Sequence, residues 1–145
     1  MSATTITPYL FYSGRCEEAL SYYEKALGAK IEMMMRFNES PAPTPPGVLQ
    51  EGFENKVMHA TFTIAGATIM ASDGDSDARK FDGFCLALTV PTEAEAHRLF
   101  DGLATGGHIQ AALRQTFFSP SYGMVTDKFG VCWIVMVAQP DQGVQ

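Results

Sequence analysis

The chain has few cysteines, one tryptophan, no basic cluster and no long apolar run. The three cysteines, Cys16, Cys85 and Cys132, are an odd number, widely spread and without a C-x-x-C pair. With no basic-then-apolar leader at the start, that usage reads as a reduced, cytoplasmic protein. Ten Lys and Arg stand against sixteen Asp and Glu, a formal net charge of -6. Phosphate-backbone binding needs clustered cations, so nucleic acid is excluded as a partner. No apolar run approaches the ~18–20 residues of a membrane span, which excludes a membrane partner by that route. What is present is core-forming material: hydrophobic residues make up 46% of 145 positions and charged ones 18%. That is enough for one compact domain and too apolar for wholesale disorder.

Periodicity and punctuation give the element order. Residues 4–12 read as a strand broken by Ser13-Gly14. Cys16 to Leu27 has Ala19, Tyr22, Tyr23, Ala26 and Leu27 at helical spacing, with Glu17 and Glu18 in the first turn and Gly28 as C-cap. Residues 30–37 are a strand. Residues 38–55 hold four of the eight prolines and form an irregular loop, either a functional flap or a mobile excursion. Residues 56–64 and 67–71 are strands joined by a tight hairpin at Ala65-Gly66. An acidic loop, 72–82, leads to a strand at 84–90. Thr92-Glu93-Ala94-Glu95 is a capping box opening a helix that runs to Gly106-Gly107. Residues 108–116, 122–126 and 131–138 are the last strands, and a polar, frayed tail follows from Gln139.

The order is therefore β-α-β-β-β twice, an α+β fold. Ala19, Tyr22, Tyr23 and Ala26 lie 77 positions before Ala96, Leu99, Phe100 and Leu103, which argues for a duplicated module. Module 1 covers about 3–72 and module 2 about 82–138, in a single domain of 1–145 with an acidic linker between. Neither half readily covers both faces of its sheet, so the halves pack together or exchange in a homodimer. Strand alternation sets Met58, Ala60, Phe62 and Ile64 against His59, Thr61 and Thr63, and Phe84, Leu86, Leu88 and Val90 against Cys85, Ala87 and Thr89. The larger apolar sets belong under the helices. The smaller sets face either solvent or a shared cavity, and Cys85 and Ala87, as poor solvent residues, favour the cavity.

Candidate chemistry is sparse. Asp73, Asp75 and Asp77 are spaced like the start of an EF-hand loop, but Ala78 and Phe84 stand where that loop needs Gly and Glu. His59 is the best catalytic candidate, with Asp73 as the nearby carboxylate to orient it; the competing reading is a hydrogen-bonded pocket wall. Cys85 and Cys132 read as inert thiols among apolar neighbours. Phe117, Phe118, Tyr122 and Trp133 form either an aromatic wall for a flat ligand or a staple across the last strands, the staple being the reading for Trp133 on the Val135 face.

The paired modules, the segment from Ala19 to Ala29 and Asp127-Lys128-Phe129-Gly130 resemble the vicinal oxygen chelate superfamily of glyoxalases, extradiol dioxygenases and bleomycin-resistance proteins. More narrowly, Pro8-Tyr9-Leu10, His59-Ala60, Met70-Ala71-Ser72-Asp73 and Gln115-Thr116-Phe117-Phe118 are similar to PhnB-like proteins. The resemblance implies a cupped eight-stranded mixed sheet and a divalent metal held from four strand positions. Those positions fall at about Pro8, Met70, Cys85 and Ile134, of which only Cys85 suits a ligand role. The residues at those positions therefore lead to the expectation of no metal and no cofactor in this chain. Members are often labelled demethylubiquinone methyltransferases, yet the chain has no glycine-rich strand-to-helix turn to cradle a nucleotide-like cofactor. Two functions follow. One is a metal-independent small-molecule-binding protein with a pocket of His59, Thr61, Met70, Cys85, Gln115, Phe117 and Tyr122. The other is a lyase, isomerase or dioxygenase-type enzyme acting on a small oxygenated substrate.

Overall fold

A computed structural model describes residues 3–42 and 44–139. The expected frayed tail lies, beyond Gln139, outside the described residues. The chain forms two compact units, 1–80 and 81–145.

The first unit contains β1 (Tyr9–Phe11), α1 (Cys16–Leu27), β2 (Lys30–Arg36), β3 (Val57–Ile64) and β4 (Ala67–Ser72). The second contains β5 (Leu86–Val90), α2 (Glu93–Ala104), β6 (His108–Arg114), β7 (Tyr122–Thr126) and β8 (Cys132–Val137). The strands form two four-stranded mixed sheets of the same topology, β1-β4-β3-β2 and β5-β8-β7-β6. In each, the first strand runs parallel to the last and the other pairings are antiparallel. The duplication is legible in the boundaries. Helices α1 and α2 coincide at an offset of 77 (16 to 93, 27 to 104), and β2 and β6 at 78 (30 to 108, 36 to 114).

Each helix covers one face of its own sheet. Ala19, Leu20, Tyr23 and Leu27 are buried on α1, Ala96, Leu99, Phe100 and Leu103 on α2. Tyr23 stacks on Phe62 with ring centroids 6.1 Å apart, and its hydroxyl accepts from Tyr12 Oη at 3.0 Å. In the second unit Trp133 and Val135 are buried under α2, as their shared parity requires. Burying side chains of this size contributes ~1.5–3 kcal/mol each, so these rows dominate the stability of each unit.

Several boundaries differ from expectation for identifiable reasons. Strand β1 is three residues, not nine, because its parallel pairing reaches only from Met70 to Ser72; Ile6, upstream, is 98% exposed. Only half of the expected capping box forms. Thr92 Oγ1 accepts from the Glu95 N–H at 3.2 Å, but the Glu95 carboxylate turns to Arg98, 2.8 Å away. The 38–55 loop is tied at both ends: Asn38 Nδ2 donates to Asn55 Oδ1 at 2.6 Å, the Gln50 N–H donates to Asp75 O at 2.8 Å, and Phe53 is buried.

The β3–β4 hairpin turns through Ala65 at φ 51° and Gly66 at φ 84°, the positive pair of a type I′ turn. Left-handed backbone costs an alanine roughly 1 kcal/mol, whereas asparagine tolerates it. Ala65→Asn is therefore expected to stabilise the first unit by about 0.5–1 kcal/mol, read as a higher midpoint in urea with an unchanged slope.

Candidate functional site

The face of each sheet away from its helix carries the chemistry. In the first unit this face presents Tyr9, Met70, Thr61 and His59 on three adjacent strands. The parallel register sets Tyr9 opposite Met70, and the antiparallel register sets Met70 opposite Thr61. The Tyr9 ring reaches over β4, so its hydroxyl meets His59 Nδ1 at 2.9 Å. Thr61 Oγ1 lies 3.4 Å from His59 Nε2. Burial, above all, raises the Tyr9 phenol above its ordinary range, so it is a neutral O–H at physiological pH. With Tyr9 donating, Nδ1 accepts and the imidazole proton sits on Nε2, pointing to Thr61. In the opposite tautomer Tyr9 O accepts and Thr61 donates. Either way both ring nitrogens are engaged.

Asp73 does not orient His59. Its carboxylate is buried and committed elsewhere: Oδ1 accepts from the Gly14 and Cys16 N–H groups at 2.8 and 2.7 Å, and Oδ2 from the Val57 N–H at 2.8 Å. It closes the N-terminus of α1, which has no side-chain cap of its own. A calcium loop starting at Asp73 is ruled out on the same grounds. The partner sequence reasoning missed is Tyr9, fifty positions from His59 and adjacent only once β1 lies beside β4.

Beside that helix start is a cavity of about 410 Å³ lined by Gly14, Glu17, Arg36, Lys56 and Asp73 among others. Its charges are matched internally. Arg36 forks onto Glu17 with two contacts of 2.8 Å and holds that carboxyl below its usual range; Lys56 Nζ donates to Gly14 O at 3.0 Å. Cys16 beneath it is buried, and burial first, then the charges of Asp73 and Glu17, push its thiol far up. It is an inert thiol.

In the second unit the predicted ligand residues separate. Cys85 lines a cavity of about 580 Å³ with Phe84, Gln110, Met124, Thr126 and Ile134 among others. Gln115, Phe117 and Tyr122 are not among its lining residues. Gln115 is exposed, Phe117 is 95% exposed, and Phe118 packs edge-on to Tyr122 with centroids 5.2 Å apart. The amide facing the cavity is Gln110, whose Oε1 accepts from Thr126 Oγ1 at 2.7 Å.

Cysteine usage requires the largest correction. Cys85 and Cys132 form a disulfide, their Cα atoms 4.5 Å apart. Leu86 pairs with Trp133 at the start of β5, so the preceding residues, Cys85 and Cys132, meet side by side on the open face. They are not the separate, inert thiols expected from the sequence.

The metal implied by the fold family does not fit these residues. Register places Tyr9, rather than Pro8, on the face of Met70, and Met70 N–H donates to Pro8 O. Taken unit by unit, the positions offer a neutral phenol, a thioether, a disulfide sulfur and the aliphatic Ile134. Hard divalent ions take carboxylate or imidazole ligands. Among the described residues, no three His, Cys, Asp or Glu side chains form a metal-holding group.

Comparison with known proteins agrees with this architecture. The family described as 3-demethylubiquinone-9 3-methyltransferase matches residues 4–136. Protein YjdN of Escherichia coli K12 is 38% identical over 146 residues, covering 94% of this chain and 99% of its own. The crystal structure of PA1353 from Pseudomonas aeruginosa superposes with a TM-score of 0.82 at 39% identity, covering 94% and 99% of the two chains. The PhnB protein of Bacillus cereus, a putative 3-demethylubiquinone-9 3-methyltransferase, gives a TM-score of 0.76 at 31% identity, covering 93% and 100% of the two chains. A glyoxylase/bleomycin resistance protein/dioxygenase domain from Frankia, at 15% identity and a TM-score of 0.65, shares the fold. With two βαβββ modules, a family match over nearly the whole chain and structural relatives above 30% identity, this chain belongs to the PhnB-like family described as 3-demethylubiquinone-9 3-methyltransferase.

Proposed function

We propose that this protein binds a small oxygenated molecule on the open face of its first sheet, without a bound metal. The observation that carries this reading is the Tyr9–His59–Thr61 chain, a preformed row of donors and acceptors beside Met70 and, on β2, Met33 and Met35. Methionines supply adaptable apolar contact and the polar row supplies orientation, the usual division of labour in a ligand site. His59 acts in it as a hydrogen-bonding wall, because both its nitrogens are already engaged.

A methyltransferase activity, as the family description has it, finds no support in the β1–α1 turn. There the helix N-terminus that would meet an anionic cofactor group is filled by Asp73. The second reading is an enzyme of the superfamily, in which Tyr9 gives a proton to the ligand and His59 resupplies it. Consumption of the ligand on incubation would favour that reading over simple binding.

A homodimer is part of the proposal. Met33, 43% exposed on the face of Thr61, and Ala87, exposed on β5, leave uncovered apolar surface for which a second copy of the chain is the cover we favour. A cytoplasmic setting belongs to it too; among the described residues no helix is long and apolar enough to cross a membrane.

His59→Ala tests the site. The lost bonds are solvent-accessible, so the fold should weaken by less than about 1 kcal/mol. Stabilisation by any ligand found in a thermal-shift screen should disappear. A ligand that stabilises wild type and His59→Ala equally binds elsewhere and removes the proposal.

A further inference from the structure

We propose that the Cys85–Cys132 disulfide is a thiol-exchange site, opened and closed by low-molecular-weight thiols entering the cavity of the second unit. Three observations converge on it. Both cysteines are half-exposed and face the cavity of about 580 Å³, away from the core beneath α2, so a small thiol can reach the sulfurs. Second, one end of the bond sits outside the ladder: β8 includes Cys132, but β5 begins at Leu86, and Cys85 is held to β8 through its side chain. Phe81, Asp82, Gly83 and Phe84, just upstream, form one wall of the same cavity, so the disulfide fixes that wall. Third, Gln110 Oε1, held by the Thr126 hydroxyl, lies 3.7 Å from Cys132 Sγ. In the disulfide this is only a contact, because the sulfur carries no proton. After cleavage it is a ready acceptor for a Cys132 S–H.

The geometry assigns the mixed disulfide that persists, the one at Cys85, because the displaced Cys132 sulfur is then a thiol with an acceptor beside it. A thiolate RS⁻ attacks Cys85 Sγ, forming an RS–Sγ bond while the Sγ–Sγ bond breaks; its electron pair passes to Cys132, which takes a proton from solvent and donates it to Gln110. Held as a thiol, Cys132 returns slowly, since the thiolate is the attacking species. A second RSH displaces the first, leaving Cys85 as a thiol and releasing RSSR. The protein pair is reduced by two electrons and two RSH are oxidised to one disulfide. Reduction frees the Phe81–Phe84 wall and so alters what the cavity admits.

The test is alkylation of the native protein after incubation in mixtures of reduced and oxidised glutathione, read by intact mass with near-ultraviolet circular dichroism in parallel. Two alkyl groups are expected with the tertiary signal retained, and never three, because Cys16 stays buried. Cys132→Ser, given oxidised glutathione, should gain one glutathionyl group at Cys85 at least tenfold faster than Cys85→Ser gains one at Cys132. A pair that resists reduction until denaturant is added would overturn the proposal. So would a third alkyl group appearing together with the first two, since reduction would then mean unfolding, and so would comparable trapping rates in the two variants.

Discussion

Asp73→Ala should lower stability by about 3–5 kcal/mol, the largest effect expected of any single substitution away from the two hydrophobic cores. The carboxylate is 1% exposed and accepts from three main-chain N–H groups that belong to the start of α1 and the start of β3. Bonds to a charged acceptor are worth ~1.5–3 kcal/mol each, and the three are not additive. Truncation takes a charged acceptor away from three main-chain donors at once, which sets the scale near the top of the range for single mutations. For a chain of this size a melting midpoint lower by roughly 10–15 °C follows. Asp73→Asn discriminates charge from shape. Its one carbonyl oxygen can satisfy Gly14 and Cys16, but its NH₂ then confronts the Val57 N–H, donor against donor. It should recover less than half the loss. Recovery to wild type would mean that packing, and not the carboxylate, holds the helix start to β3.

Asp127→Ala is the counterpart in the second unit. That carboxylate is buried in the β7–β8 turn, where Oδ1 accepts from the Phe129 and Val131 N–H groups at 2.8 and 3.1 Å and Oδ2 from Trp133 Nε1 at 2.8 Å. The side chain fixes both the turn and the indole that anchors the core beneath α2. A loss of about 3–4 kcal/mol is expected, for the same reason as at Asp73. Because Trp133 is the sole tryptophan, its emission gives a local readout: the variant should emit further to the red before global unfolding. An unshifted spectrum would mean that α2, and not Asp127, positions the indole.

Both residues show where sequence reading succeeded and where it stopped. The Asp127-Lys128-Phe129-Gly130 turn was legible because its determinants are local: an Asp whose oxygen reaches N–H groups two and four residues on, and a Gly130 at φ 96°. The helices were legible for the same reason, and the expected bounds of α1, Cys16 to Leu27, are the observed ones. Asp73 was misjudged as the orienter of His59 because its donors come from Gly14, Cys16 and Val57, 59, 57 and 16 positions away. Such a pairing is invisible until β4 is placed between β1 and β3. The Cys85–Cys132 bond was hidden likewise: a 47-residue separation gives no short motif, and only the parallel β5–β8 register brings the two together. Tyr9 belongs to the Pro8-Tyr9-Leu10 motif, yet its bond to His59 requires a ring long enough to cross a strand. Pattern and capping thus specify elements, whereas the site depends on which strands become neighbours.

That dependence makes the open face of the first sheet the centre of the account, and binding there without metal its main claim. The most direct test is calorimetric titration of the best thermal-shift ligand, on protein dialysed against a strong chelator and on protein reloaded with manganese or zinc, with metal content measured in parallel. The account predicts less than a twofold difference in Kd between the two samples, and abolition of binding by His59→Ala in both. Stoichiometric metal retained through purification, with affinity lost on chelation and restored on reloading, would contradict it.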